Sequence, residues 1–149
     1  MSSTSALTSG GCLCGAVSFE IRGSLRGVVA CHCSQCRRTH GHFAAYTQCR
    51  TDELEFTEDR GLKWYVSSDK AKRGFCHDCG ASLFWQLAGA SEISVSAGSL
   101  NQPCGLKLVG HIYCEDIADY YTLSDELPKY PGSSKGAFRN GQARLPDDK

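Results

Sequence analysis

A single, mainly β domain of antiparallel strands with little helix is what this chain of 149 residues predicts. Three observations lead there. Short segments alternate apolar and polar side chains at a period of two, as half-buried strands do. Glycines, and the group Asn101-Gln102-Pro103, interrupt the chain at intervals that suit turns. Uninterrupted apolar stretches such as Val28-Val29-Ala30-Cys31 are short, far below the ~20 residues a bilayer crossing needs.

Taken in order, Val17, Phe19 and Ile21 alternate with Ala16, Ser18 and Glu20 and predict the first strand. Further strands are expected at residues 28–31, 43–48, 53–56, 62–66, 82–87, 93–97 and 107–113, with Gly27, Gly61, Gly74, Gly80 and Gly89 marking turns between them. A helical turn or two is expected only at 115–123. Residues 1–10 read as a flexible segment, 11–130 as the domain, and 131–149, rich in Gly, Ser, Lys and Asp, as a loosely held tail.

With 41% apolar and 21% charged residues, the composition excludes disorder and collagen-like structure. Lys and Arg number 16, as do Asp and Glu, and neither sign forms a block. No nucleic-acid or membrane partner is therefore expected. The first ten residues have no basic start and no apolar core, unlike a secretory signal, so a cytoplasmic location is expected. In that reducing compartment, ten cysteines point to metal binding or redox chemistry rather than disulfides.

Seven of the ten fall in three groups: Cys12-x-Cys14, Cys31-His32-Cys33-Ser34-Gln35-Cys36 and Cys76-His77-Asp78-Cys79-Gly80. C-x-x-C lets two thiolates converge on one Zn²⁺, and C-x-C can do so from a bent chain. Gly15 and Gly80, each following a cysteine, permit the tight backbone such turns require. Structural zinc takes four protein ligands and catalytic zinc three plus an open position. Cys12, Cys14, Cys76 and Cys79 would make one closed site. Cys31, Cys33 and Cys36 would then hold a second zinc with a vacancy. Spacing alone also permits other pairings, two disulfides among them, or a fourth ligand to the triplet from His32, His40, His42 or a distant cysteine.

The segments Gly11-Cys12-Leu13-Cys14-Gly15-Ala16-Val17-Ser18-Phe19, Cys31 to Arg37, and Phe75-Cys76-His77-Asp78-Cys79-Gly80-Ala81-Ser82-Leu83-Phe84 resemble the glutathione-dependent formaldehyde-activating enzymes (Gfa), also called the centromere-protein-V-like family. His111-Ile112-Tyr113 and Asp125-Glu126-Leu127-Pro128-Lys129-Tyr130 resemble that family's C-terminal pattern. The resemblance implies a β-tent fold, a structural zinc on Cys12, Cys14, Cys76 and Cys79, and a second zinc on Cys31, Cys33 and Cys36. It also implies a carbon–sulfur lyase of the S-(hydroxymethyl)glutathione synthase type, joining glutathione to formaldehyde in aldehyde detoxification. The alternative is a zinc-stabilised binding module without turnover.

Other residues carry plainer expectations. His32, between two candidate ligands, would point away from them along an extended chain and is read as a hydrogen-bonding residue. His111 is read as a satisfied core histidine, and Cys49, Cys104 and Cys114 as buried apolar thiols. Arg37 and Arg38 are read as a solvated pair, and Trp64, Tyr65, Phe84 and Trp85 as core or cleft wall. No Gly-rich phosphate loop, Gly-x-Ser-x-Gly elbow or His-Glu-x-x-His helix is present, which removes kinase, hydrolase-triad and zinc-protease readings.

Overall fold

The computed structural model describes residues 7–138. Its strands are β1 (Leu7–Gly11), β2 (Ser18–Arg22), β3 (Val28–Cys31), β4 (Ala44–Arg50), β5 (Leu54–Glu58), β6 (Leu62–Val66), β7 (Ala71–Cys76), β8 (Ser82–Leu87), β9 (Glu92–Ser96) and β10 (Leu108–Ile112). One α-helix, α1 (Ser34–His40), accompanies short 3₁₀ turns. The molecule is mainly β, as its sequence predicts. Two compact units are interleaved along the chain: 7–25 with 47–105, and 26–46 with 106–138.

In the first unit β1, β2 and β5 form an antiparallel sheet in that order, with Phe19 opposite both Gly10 and Phe56. Strands β6, β7, β8 and β9 follow as an antiparallel meander. The core gathers on Phe84, whose ring meets Phe19, Phe56 and Trp64 at 5.3, 5.6 and 6.0 Å between centroids. Ile21, Leu83, Ile93 and Val95 are buried in the same unit, each such side chain contributing roughly 1.5–3 kcal/mol of transfer free energy. Of the aromatic residues expected in core or cleft, Tyr65 is instead exposed at 61%.

Two strands escape the period-two pattern, for the same reason. In β1, a β-carbon on Gly10 would lie 2.6 Å from the Ser99 carbonyl oxygen and 2.8 Å from the Phe19 ring. In β7, one on Gly74 would lie 3.0 Å from both Phe84 and Trp64. Glycine lets each backbone approach a ring, and it removes the apolar side chain that would have announced the strand. β1 also corrects the expectation of a flexible 1–10, since Leu7–Gly11 pairs with β2; residues 1–6 lie outside the described residues.

The second unit is built on β10, β3 and the start of β4. β3 is buried along its whole length, which explains its continuous apolar run. It pairs antiparallel with β4 but parallel with β10. That departs from the all-antiparallel expectation. A parallel pair needs a long crossover, and here residues 47–105 intervene between the two strands' arms. Only Cys114–Asp116 forms a 3₁₀ turn where residues 115–123 promised helix, and the rest runs irregularly. Of the expected loose tail, Ser134 and Phe138 are buried, and Phe138 packs edge-on to Tyr130 over the bare face of Gly110. Residues 139–149 lie outside the described residues.

Candidate metal centres and a histidine chain

Cys12 and Cys14 sit in the loop between β1 and β2, closed by a Cys12 N–H to Val17 carbonyl bond of 2.9 Å. Gly15 turns that loop at φ 88°, left-handed backbone that only glycine adopts freely. Cys76 ends β7, and Gly80 N–H returns to its carbonyl at 2.7 Å with φ 81°. Both turns converge: the four sulfur atoms of Cys12, Cys14, Cys76 and Cys79 lie within 4.8 Å of one another. Cys12–Cys14 and Cys14–Cys76 are 3.8 and 3.7 Å apart. A tetrahedral ion with bonds of about 2.3 Å, the zinc–thiolate length, has edges of about 3.8 Å, whereas a disulfide needs about 2.05 Å. The donor set fits the ion.

Backbone amides are aimed at these thiols. Val17 N–H donates to Cys12 Sγ at 3.3 Å, and Cys79 N–H to Cys76 Sγ at 3.5 Å. Hydrogen bonds from the backbone of Ala81, then Cys14, bring the Cys79 thiol down to about 6. The bonds to Cys12 and Cys79 favour the thiolate, the form that binds metal.

The second set is compact in sequence. Cys31 ends β3, Cys33 caps α1 by accepting from Cys36 N–H at 3.3 Å, and Cys36 lies buried in the first turn. Their sulfur atoms also lie within 4.8 Å of one another, and among the described residues the grouping stops at three. The helix closes on Gly41 at φ 84°. Seven mostly polar residues with one buried side chain carry no helical period. The thiol at the cap and the glycine at the end were its only sequence signals.

His32 joins no ligand set. It opens a chain of hydrogen bonds in the second unit: Tyr121 hydroxyl to His32 Nδ1, His32 Nε2 to His111 Nδ1 at 3.0 Å, and His111 Nε2 to Asp125 at 2.9 Å. Both rings are 2% exposed. Burial, then the neighbouring His111 and His42, push His32 down to about 4. Asp125 is held well below the usual carboxylate range by His111 and then Lys129. Burial and then Tyr120 raise the Tyr121 phenol, keeping it protonated. Beside this chain, His42 Nδ1 pairs with the Tyr120 hydroxyl at 2.7 Å, and Tyr120 is 60% exposed.

The glutathione-dependent formaldehyde-activating enzyme model matches residues 7–116. This chain belongs to that family. A protein of Schizosaccharomyces pombe named as an uncharacterized lyase is 32% identical over 123 residues, covering 81% of this chain and 88% of its own. A crystal structure of a Rhodobacter sphaeroides protein superposes with a TM-score of 0.53 at 26% identity, over 81% of this chain and 98% of its own.

Within this member of the family, the other cysteines and the arginines sort differently. Cys49 is buried, whereas Cys104 and Cys114 are half-buried rather than core thiols. Arg38 is exposed, while Arg37 is half-buried with its Nε sealed from solvent. Tyr120, Tyr121 and the role of Asp125 escaped sequence reasoning. No helix among the described residues is long and apolar enough to cross a membrane.

Proposed function

We propose that this chain is a zinc-dependent carbon–sulfur lyase that joins glutathione to formaldehyde, or a related small aldehyde, as S-hydroxymethylglutathione, and runs the reverse, as a cytoplasmic aldehyde-detoxifying enzyme. One observation carries this reading: the second cysteine set is a cluster of three, Cys31, Cys33 and Cys36, with donor atoms within 4.8 Å. Three ligands leave the open position of a catalytic site, while the four of Cys12, Cys14, Cys76 and Cys79 make a closed structural one. The family match and the lyase-named relative support the same chemistry.

Cys31, Cys33 and Cys36 would hold the zinc, which would supply a soft electrophilic position favouring the thiolate form of an incoming thiol. The chain's own groups set the geometry. Cys36 N–H fixes the Cys33 sulfur from below the helix cap. Cys31 and Cys36 are buried, so the set is closed to solvent on that side. The reaction is redox-neutral: the S–C bond forms, the carbonyl π bond opens, and the thiol's proton ends on the aldehyde oxygen.

The test is ¹³C-formaldehyde exchange with glutathione, followed by NMR on zinc-loaded protein. We expect two zinc ions per chain and exchange faster than the spontaneous rate, with the excess lost in Cys33→Ser. Two zinc ions and no acceleration would reduce the protein to a zinc-stabilised binding module.

A further inference from the structure

The strand that ends at Cys31 and the helix capped by Cys33 are joined by one residue, His32. Cys31 is fixed from both edges of its strand, opposite Ala44 of β4 and Ile112 of β10. Cys33 and Cys36 travel with α1, whose first turn is closed by Cys36 N–H on the Cys33 sulfur at 3.3 Å. Each residue of backbone has two soft dihedrals. The pair at His32 therefore sets where two of the three sulfur atoms lie relative to the third.

That junction is gripped at three points. His32 N–H donates to the Ile112 carbonyl at 3.0 Å. Its ring Nε2 pairs with His111 Nδ1 at 3.0 Å, and its Nδ1 with the Tyr121 hydroxyl. The grip is the same whichever nitrogen carries the hydrogen. His111 is tethered in turn: its N–H bonds the Pro128 carbonyl at 2.9 Å, and its carbonyl accepts from Tyr130 N–H at 3.0 Å. Its Nε2 faces Asp125 Oδ2 at 2.9 Å. Leu127 N–H and Lys129 Nζ, each at 3.0 Å, hold the other carboxylate oxygen. All of these residues belong to the second unit. Apolar rings could fill the same buried space; what a satisfied polar network adds is one fixed arrangement.

We propose that Asp125 and His111 are positioning residues for the three-thiol set. Acting through His32, they fix the junction of β3 and α1 so that Cys31, Cys33 and Cys36 converge on one ion. This rests on the metal reading of that set. Neither residue belongs to the ligand set, and no bond or proton changes place in this role. Outer groups that orient ligands are worth about 10–100-fold in metal affinity.

The test uses the full chain, loaded with zinc and with cobalt. Cys33→Ser, expected to keep the four-thiol ion alone, gives the reference that separates the two sets. His111→Phe keeps a ring in the space and removes both side-chain bonds, whereas Asp125→Ala removes only the anchor. In each, chelator competition should find the three-thiol ion held about tenfold to hundredfold more weakly, and the four-thiol ion as in the wild type. The Co²⁺–thiolate bands of the three-thiol set should shift in both variants. Phe138→Ala loosens the same unit away from these hydrogen bonds. It should lower the unfolding midpoint and leave affinity and bands unchanged. Wild-type affinity and bands in either His111→Phe or Asp125→Ala overturn the proposal, and so does an equal loss in Phe138→Ala. A wild type that binds a single ion would defeat the metal reading itself, a failure seen before any of these variants is made.

Discussion

Gly61 lies so close to Cys76 that a β-carbon on it would come within 2.9 Å of the Cys76 sulfur and 2.6 Å of the Ala16 β-carbon. Its N–H bonds the Ala16 carbonyl at 3.0 Å, and its carbonyl accepts from His77 N–H at 2.8 Å. One glycine therefore ties the loop of Cys12 and Cys14 to the turn of Cys76 and Cys79. Gly61→Ala should cost about 1–3 kcal/mol through overpacking and weaken metal retention at the four-thiol set. Thermal unfolding together with competition by a chelator checks both, and an unchanged chelation rate would contradict the arrangement.

Cys79→Ser should destabilise the first unit far more than an ordinary surface change. Structural zinc contributes on the order of 10 kcal/mol of apparent binding free energy that is also folding free energy. The expected outcome is a lower unfolding midpoint with one metal ion fewer per chain. A wild-type midpoint with unchanged metal content would dissolve the four-ligand assignment.

At the three-thiol set the expected pattern is the reverse. Cys33→Ser should keep a cooperative transition and one metal ion while losing thiol–aldehyde turnover. In cobalt-substituted protein, glutathione should strengthen and shift the visible Co²⁺–thiolate bands of the wild type and leave those of Cys33→Ser unchanged. Insensitivity of the wild-type bands to any small thiol would mean that the set is closed.

Asp125 predicts a specific acid limb. Its folded pKa lies below the ordinary carboxylate value, chiefly through His111 and then Lys129. Its stabilisation is therefore present above an unfolded pKa of about 3.9 and is lost as pH falls toward the lower folded value. Asp125→Asn should be less stable than wild type at neutral pH, with the gap closing below about pH 4. Unfolding midpoints across that range decide it, and a constant gap would refute the linkage.

Metal loading should also change the net charge. Seven thiolates and two divalent ions add −7 + 4 = −3 to a formal charge of +0. Native electrophoresis near neutral pH should show the loaded protein running as the more acidic species. Equal mobility with and without metal would argue against two filled sites.

The cysteine groups were legible because each is written in local spacing, Cys31, Cys33 and Cys36 spanning one turn and a cap. The joining of Cys12 and Cys14 to Cys76 and Cys79 across 62 positions was instead implied by the family resemblance. The histidine chain was not legible, since His32 meets Tyr121 across 89 positions and His111 across 79. Nothing local to either residue announces such a meeting. Strands with alternating side chains, such as Ser18–Arg22 and Leu62–Val66, were readable for the opposite reason. β1 and β7 were hidden by the glycines that let their backbones approach aromatic rings. The parallel pairing of β10 with β3 depends on the course of the whole intervening chain, which no local pattern encodes.

The two cysteine sets differ in how far along the chain their donors lie, and this orders their assembly. Cys31 to Cys36 can capture an ion as soon as six residues have been made. Cys14 must wait for Cys76, 62 positions later, and the entropy of closing that loop is repaid only when the strands between them pair. Refolding in the presence of cobalt should then develop thiolate absorption in two phases. The fast phase should survive in Cys79→Ser and the slow one vanish; a single phase in the wild type would contradict this order. One ion is a nucleus available early to the chain, and the other a late clasp on a nearly finished fold.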